Sequence, residues 1–204
     1  MRVGPQRRVR LDAVVRKHQK VEDPRYLYWA DRLASSEQQR EYVRAIYHLT
    51  RALDPTRPVI GNDGWESVIA DIIGVHDYDD DPARLAPRYA AGASDIVAAA
   101  RPAKRDLLTP GQRYDGQPLM LTEFGGIALS TDRDATWGYV RAGDSAELAK
   151  RYADLVAAVR GAGAFAGFCY TQFADTYQET NGLLYADRTP KFPLEEMSRA
   201  TRGR

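Results

Sequence analysis

From Ser36 onward, apolar positions fall by turns at helical spacing and in short unbroken runs, the pattern of a parallel sheet with crossover helices. Ser36-Glu-Gln-Gln39 has capping-box form, and Val43, Ile46, Tyr47 and Leu53 keep one helical face until Asp54-Pro55 stops it. Val59-Ile60 reads as a short strand. Ile72 to Val75 reads as a second, almost wholly apolar, as a strand covered on both faces should be. Asp81-Pro82 opens an alanine-rich helix running to about Ala100, with Pro87 disturbing its start. Arg101 to Gln117 has the composition of a loop, and Leu119 to Thr122 that of a strand. Asp144-x-x-Glu147 caps an amphipathic helix with Leu148, Tyr152, Leu155, Val156 and Val159 on one face, ended by Gly161. Ala164 to Thr171 is a strand, and Leu194 to Arg199 a short last helix.

Composition narrows the function classes. A chain of 204 residues, 44% hydrophobic, is long enough for one domain with a real core. The net charge of +1 supplies no global field for nucleic acid or an anionic membrane. Arg2, Arg7, Arg8 and Arg10 form a basic N-terminal tail over residues 1–11, expected to be disordered. It is short and has no aromatic partners for base stacking, so nucleic acid is not an expected partner. No apolar run approaches the ~18 residues of a membrane span, and no hydrophobic signal core follows Met1, so the expected location is cytoplasmic. Cys169 is the only cysteine, which excludes an internal disulfide and a cysteine zinc cluster; within its apolar strand it reads as a small buried hydrophobe. A serine hydrolase is excluded by the lack of a G-x-S-x-G elbow.

The chemistry-bearing run is Pro118-Leu-Met-Leu-Thr-Glu-Phe-Gly-Gly126, a strand that ends on a carboxylate followed by two glycines. In a β/α barrel, catalytic groups sit where strands end, and glycines there let the backbone turn without crowding a ligand. A second run, Gly167-Phe-Cys-Tyr-Thr-Gln-Phe-Ala-Asp175, continues through Glu179 to Lys191 as Glu-Thr-Asn-Gly-Leu-Leu-Tyr-Ala-Asp-Arg-Thr-Pro-Lys. Together these runs resemble the C-terminal half of a glycoside hydrolase family 2 catalytic barrel, the clan of β-galactosidases, β-glucuronidases and β-mannosidases. Arg57 to Asp63 resembles barrel strand five, Asp71 to Tyr78 strand six, the run closing on Glu123 strand seven, and Gly167 to Gln172 strand eight.

Residues 12–35 resemble strand two and helix two of the same barrel, with Arg16, His18 and Asp23-Pro24 fitting that pattern, and residues 36–204 resemble helix four to helix eight. The family places two strands and a helix, roughly 60 residues, between helices two and four. Here Leu33 and Ser36 are three positions apart. The resemblance therefore implies a partial (β/α)8 TIM barrel of about five of eight strands, with an internal deletion. The deleted stretch is where the family carries an Asn-Glu pair whose Glu is the general acid/base. None of the glutamates at 22, 37, 41, 66, 123, 147, 179, 195 and 196 follows an Asn.

The implied chemistry is hydrolysis of a terminal β-linked sugar with retention, which needs one carboxylate to attack and another group to serve as acid and base. Glu123 takes the nucleophile's place. Tyr78 matches the family tyrosine that hydrogen-bonds it, and His76 reads either as a sugar ligand or as a satisfied strand histidine. Asn62, Asp63 and Trp65 follow strand five and line the mouth, Trp65 offering an apolar face to a sugar ring. Glu66 is the only stand-in for the acid, at a position that reads as a helix start. Thr171 stands where many relatives carry a Trp, so the resemblance implies that the sugar platform comes from Tyr170 or Phe173 or is missing. Asp77, Asp79, Asp80 and Asp81 read as a solvated helix-start cluster in preference to a calcium loop. No cofactor and no metal are expected; the expected partner is a small carbohydrate or β-glycoside, with self-association through the open barrel side. The alternative from another class is a non-catalytic sugar-binding or interaction fragment.

Overall fold

A computed structural model describes residues 33–129, 138–176 and 179–203. Its first helix, α1 (Glu37–Leu53), starts where Ser36 accepts from the Gln39 N–H and stops at Asp54, whose N–H bonds Thr50 O. Asp54 then turns the chain by accepting from both Thr56 and Arg57. Val59-Ile60 is not a strand. The Val59 N–H donates to Asp71 Oδ2 at 2.8 Å, and the Asp71 N–H donates to Val59 O at 2.8 Å. One side chain and one amide have replaced a ladder, and they leave the segment extended but unpaired with any strand. Tyr47 also bonds Asp71, at 2.5 Å, pinning α1 to this point.

Three parallel strands follow: β1 (Ile73–Asp77), β2 (Leu119–Gly125) and β5 (Phe165–Thr171), in that spatial order. A smaller parallel pair, β3 (Ile127–Leu129) with β4 (Val140–Ala142), lies between β2 and β5 in sequence. Among the described residues the parallel sheet thus has three strands, and residues 12–32, expected to hold barrel strand two, lie outside the description. The connections are helical: α2 (Pro82–Arg88) and α3 (Ala93–Ala99) between β1 and β2, and α4 (Ser145–Gly161) before β5. The single alanine-rich helix expected from Pro82 to Ala100 is therefore two. Pro87 lacks the N–H that would bond Ala83 O and so weakens the last turn of α2, which closes at Tyr89, and Gly92 restarts the chain as the cap of α3.

The layers follow the apolar pattern. Ile73, Val75, Leu119, Leu121 and Phe124 point from the sheet into a core closed by Leu85 and Tyr89 at α2, Ile96 and Val97 of α3, and Leu148, Tyr152, Leu155, Val156 and Val159 of α4. Each large side chain buried here stabilises the fold by about 1.5–3 kcal/mol. Helix α4 begins as the sequence predicts: Asp144 accepts from the Glu147 N–H at 2.8 Å, and Glu147 reaches back to the Gly143 N–H at 2.8 Å. The other face of the sheet is covered less. Met120 and Thr122 are half-buried, and Ala166 and Cys169 on β5 are exposed, which corrects the buried reading of Cys169. Phe168 and Tyr170 on either side of it pack on the core, so Cys169 points away from the helical layer. The last helix, α5 (Leu194–Arg202), packs on α4 through a Tyr152–Thr201 hydroxyl pair at 2.7 Å. Among the described residues no helix is long and apolar enough to cross a membrane.

Candidate active site

Because β1 and β2 run parallel, their C-terminal ends open on one edge, and the register sets His76 opposite Glu123. The register shifts between Val75 and His76, where β2 carries Thr122 as an extra residue, and this shift sets Glu123 rather than Thr122 opposite His76. Tyr78, one residue past the strand, donates its hydroxyl to Glu123 Oε2 at 2.7 Å. Nδ1 of His76 lies 3.0 Å from the same oxygen. The opposite nitrogen, Nε2, lies 3.0 Å from Asp63 Oδ2. Asp63 is held in turn by the Thr122 hydroxyl, 2.7 Å from its Oδ1.

Asp63 reaches the sheet because the turn before β1 folds back over it, with the His76 N–H donating to Gly64 O at 3.3 Å. Asn62 steadies that turn by donating to Trp65 O at 2.6 Å. The Trp65 ring meets the His76 ring edge-on at 5.3 Å, and the Arg105 guanidinium lies 5.3 Å over the indole. His76 is 2% exposed, so it is a satisfied strand histidine, and it is also in the site. The two readings of this residue are not exclusive.

Burial pushes the Tyr78 hydroxyl pKa far up, and the charge of Glu123 adds to that push, so the group remains a proton donor at any working pH. Tyr139 stacks on Tyr78 with ring centroids 3.5 Å apart, and its own hydroxyl is raised by burial first. The glycine after β2 makes this stack possible. Gly126 sits at φ +65°, and a Cβ there would lie 2.5 Å from the Tyr139 ring and 3.1 Å from that of Tyr78. Cys169 is exposed as a residue, yet its thiol sits close enough to the sheet to be raised by partial desolvation and then by the charges of Glu123 and Asp63.

Other expectations change. Glu66 does not start a helix; it follows the bend of residues 61–65 at φ +48°, is 8% exposed, and pairs with Arg105 at 2.6 Å. The acidic stretch divides: Asp80 and Asp81 stay partly solvated at the helix start, as expected, whereas Asp77, buried, and Asp79, half-buried, are held against arginines. Asp77 is bound by Arg88 and by the Tyr89 hydroxyl at 2.8 Å, Asp79 by Arg84 and Arg88, and only Asp81 caps a helix. The Arg84 hydrogen bond leads the forces that hold the Asp79 carboxyl well below the usual range. Tyr170 turns away from the mouth to pack on Phe124 and Tyr152, whereas Phe173 is 64% exposed with Arg188 over its ring. Arg16 and His18 lie outside the described residues.

Thr122, Arg105 and Tyr139 join the site without having been singled out from sequence. Only for Tyr139 did the sequence carry a sign, an aromatic pair beside a glycine at Trp137-Gly138-Tyr139. Asp63, His76 and Glu123 offer donor atoms within 4.8 Å of one another. Each imidazole nitrogen is already turned to a carboxylate oxygen, so the three form a hydrogen-bonded chain that a cation would have to break.

No protein-family model matches the chain, and no curated protein matches it. Solved structures do. The chain is similar to the β-D-glucuronidase of Dictyoglomus thermophilum at 19% identity and a TM-score of 0.54, over 83% of this chain and 29% of that one. It is similar to a GH2 β-galacturonidase from Eisenbergiella tayi bound to galacturonate at 18% identity and a TM-score of 0.54, over 84% and 31% of the two chains. An exo-β-agarase gives 15% identity and a TM-score of 0.53, over 80% and 21%. The chain spans less than a third of the length of each. At these identities the likeness is one of fold, a mixed α/β architecture with a parallel sheet of the kind these glycoside hydrolases carry.

Proposed function

We propose that the chain carries the nucleophile side of a retaining β-glycosidase site, with Glu123 as the nucleophile. The observation that supports this reading is the convergence of two donors, Tyr78 at 2.7 Å and His76 at 3.0 Å, on one oxygen of a carboxylate at the C-terminal end of a parallel strand. Donors so placed fix the carboxylate's orientation and favour its charged form. In the reaction a Glu123 oxygen bonds the anomeric carbon, the bond to the leaving oxygen breaks with its electron pair, and water later releases the sugar. Phe173 and Tyr139 offer exposed rings, and Asn62 and Trp65 border the same edge as sugar contacts.

The acid/base side is the weaker half. In this reading the chain is a partial (β/α)8 barrel, and the stretch that would hold the family's acid is the one deleted between Leu33 and Ser36. Glu66, the in-chain substitute, is taken up by Arg105. An acid is worth about 10²–10⁴-fold in such reactions. The substrates are therefore terminal β-linked sugars with leaving groups that depart as stable anions. The test is covalent labelling with 2,4-dinitrophenyl 2-deoxy-2-fluoro-β-D-glucuronide and the matching galactoside, read by mass spectrometry. A single glycosyl adduct on Glu123, absent in Glu123→Gln, is expected. An adduct elsewhere, or none, overturns the reading; binding of the sugars without an adduct would leave a sugar-binding domain.

A further inference from the structure

Asp63 and Glu123 present oxygens within 4.8 Å of each other. Retaining glycosidases hold their two carboxyl groups about 5 to 5.5 Å apart, so by distance alone Asp63 would pass for the second catalytic carboxylate. The space between the two is filled. The His76 ring stands in it with Nε2 on Asp63 and Nδ1 on Glu123, each at 3.0 Å, and His76 is 2% exposed. A catalytic pair must admit an anomeric carbon between its members, and a buried imidazole bonded to both excludes one. We infer that Asp63 is a positioning residue, which holds His76 so that Nδ1 can hold Glu123. This rests on Glu123 being the nucleophile.

The surroundings are shaped for that role. Thr122, next to Glu123 on β2, holds Asp63 Oδ1 at 2.7 Å with its hydroxyl. Gly74 on β1 leaves the room Asp63 needs, since a Cβ there would lie 1.9 Å from Asp63 Oδ1 and 3.0 Å from Thr122 Oγ1. Trp65 closes the ring edge of His76 at 5.3 Å. Three elements, the turn before β1, β1 itself and β2, therefore place one imidazole. With a carboxylate oxygen 3.0 Å from each nitrogen, the ring can neither flip nor swing without giving up one of these contacts.

The experiment labels the three histidines with 15N and follows the ring N–H resonances of His76 in the full chain, with His18→Asn and His48→Asn variants to assign them. Donation from both nitrogens requires the imidazolium form, so wild-type His76 should show two protected ring N–H groups. Asp63→Asn should lose protection at Nε2, and Glu123→Gln at Nδ1. Asp63→Asn should also slow labelling of Glu123 by up to about 100-fold, a loss of the size that misplacing a reacting group produces, and equally for all leaving groups. Thr122→Val should fall between the two and Thr122→Ser should restore the wild-type values; this pair keeps the test alive if Asp63→Asn does not fold. Unchanged His76 resonances in Asp63→Asn overturn the inference. So does a loss that grows with leaving-group basicity and is rescued by azide as a β-glycosyl azide, because that behaviour belongs to an acid/base. If wild-type Glu123 takes no label, the nucleophile reading fails, while the resonances still decide whether Asp63 holds His76.

Discussion

The Tyr78 hydroxyl meets Glu123 Oε2 at 2.7 Å across 45 positions of chain, in a setting where burial keeps the phenol protonated. A hydrogen bond to a charged acceptor is worth about 1.5–3 kcal/mol. Tyr78→Phe keeps the stack on Tyr139 and removes only the donor. It should slow labelling of Glu123 by roughly ten-fold or more, with little change in melting temperature. Labelling at the wild-type rate would mean that the bond plays no part in the chemistry.

Cys169 reports on the same charges from β5, the strand paired with β2. Its thiol is raised by partial desolvation and then by Glu123 and Asp63, so alkylation by iodoacetamide should be slow at neutral pH and accelerate as pH rises through the thiol's elevated pKa. Removing one negative charge lets the thiolate form at lower pH. In Glu123→Gln the pH–rate profile of alkylation should therefore shift toward acid. A profile that does not move would place Glu123 out of electrostatic reach of β5.

Glu66 and Arg105 pair at 2.6 Å, with Glu66 8% exposed, and the guanidinium lies over Trp65. Removing one partner of a buried pair costs about 3–5 kcal/mol. Glu66→Gln should lower the melting temperature clearly, yet leave unchanged how labelling of Glu123 depends on the leaving group. A selective loss on poor leaving groups would instead make Glu66 the acid.

Lys191 is buried against Asp175 and Thr180 O, each at 2.7 Å, and burial pulls its ammonium below the ordinary lysine value. The folded state therefore binds this proton less well than the unfolded chain does. The stability that Lys191 contributes should rise as pH climbs from its lowered pKa toward about 10.4. Lys191→Met should remove that slope from melting curves taken across the window, and should destabilise the chain at neutral pH by leaving Asp175 without its cation. The same slope in wild type and variant would assign it to another group.

How much could be read in advance depended on the reach of each interaction. Helix α4 was legible because its apolar stripe and its stop lie within 17 residues and its cap, Asp144, directly precedes them. The break between α2 and α3 was not, since alanine satisfies a helix on either side and only Gly92 marks the gap. Val59-Ile60 has strand composition, but Asp71 intercepts its backbone. At the site, Glu123, Tyr78 and His76 stood out as strand-end residues in a known order. Thr122 and Arg105 did not, because their partners lie 59 and 39 positions away and only the register and the loop path bring them together. Asp63 was in view as a sugar contact; its place behind His76 required the turn at Gly64.

The parallel register of β1, β2 and β5 has a kinetic consequence. No hairpin joins any two of these strands, so each pairing waits for a helical crossover to form and dock. Loops of that length must close before any contact at the strand ends rewards them, which makes such sheets slow to assemble. Tyr78, His76 and Glu123 can meet only after β1 and β2 have zipped to their last residues. The carboxylate cluster should thus be among the last features to appear during refolding, well after α1 and α4 have gained their helical signal.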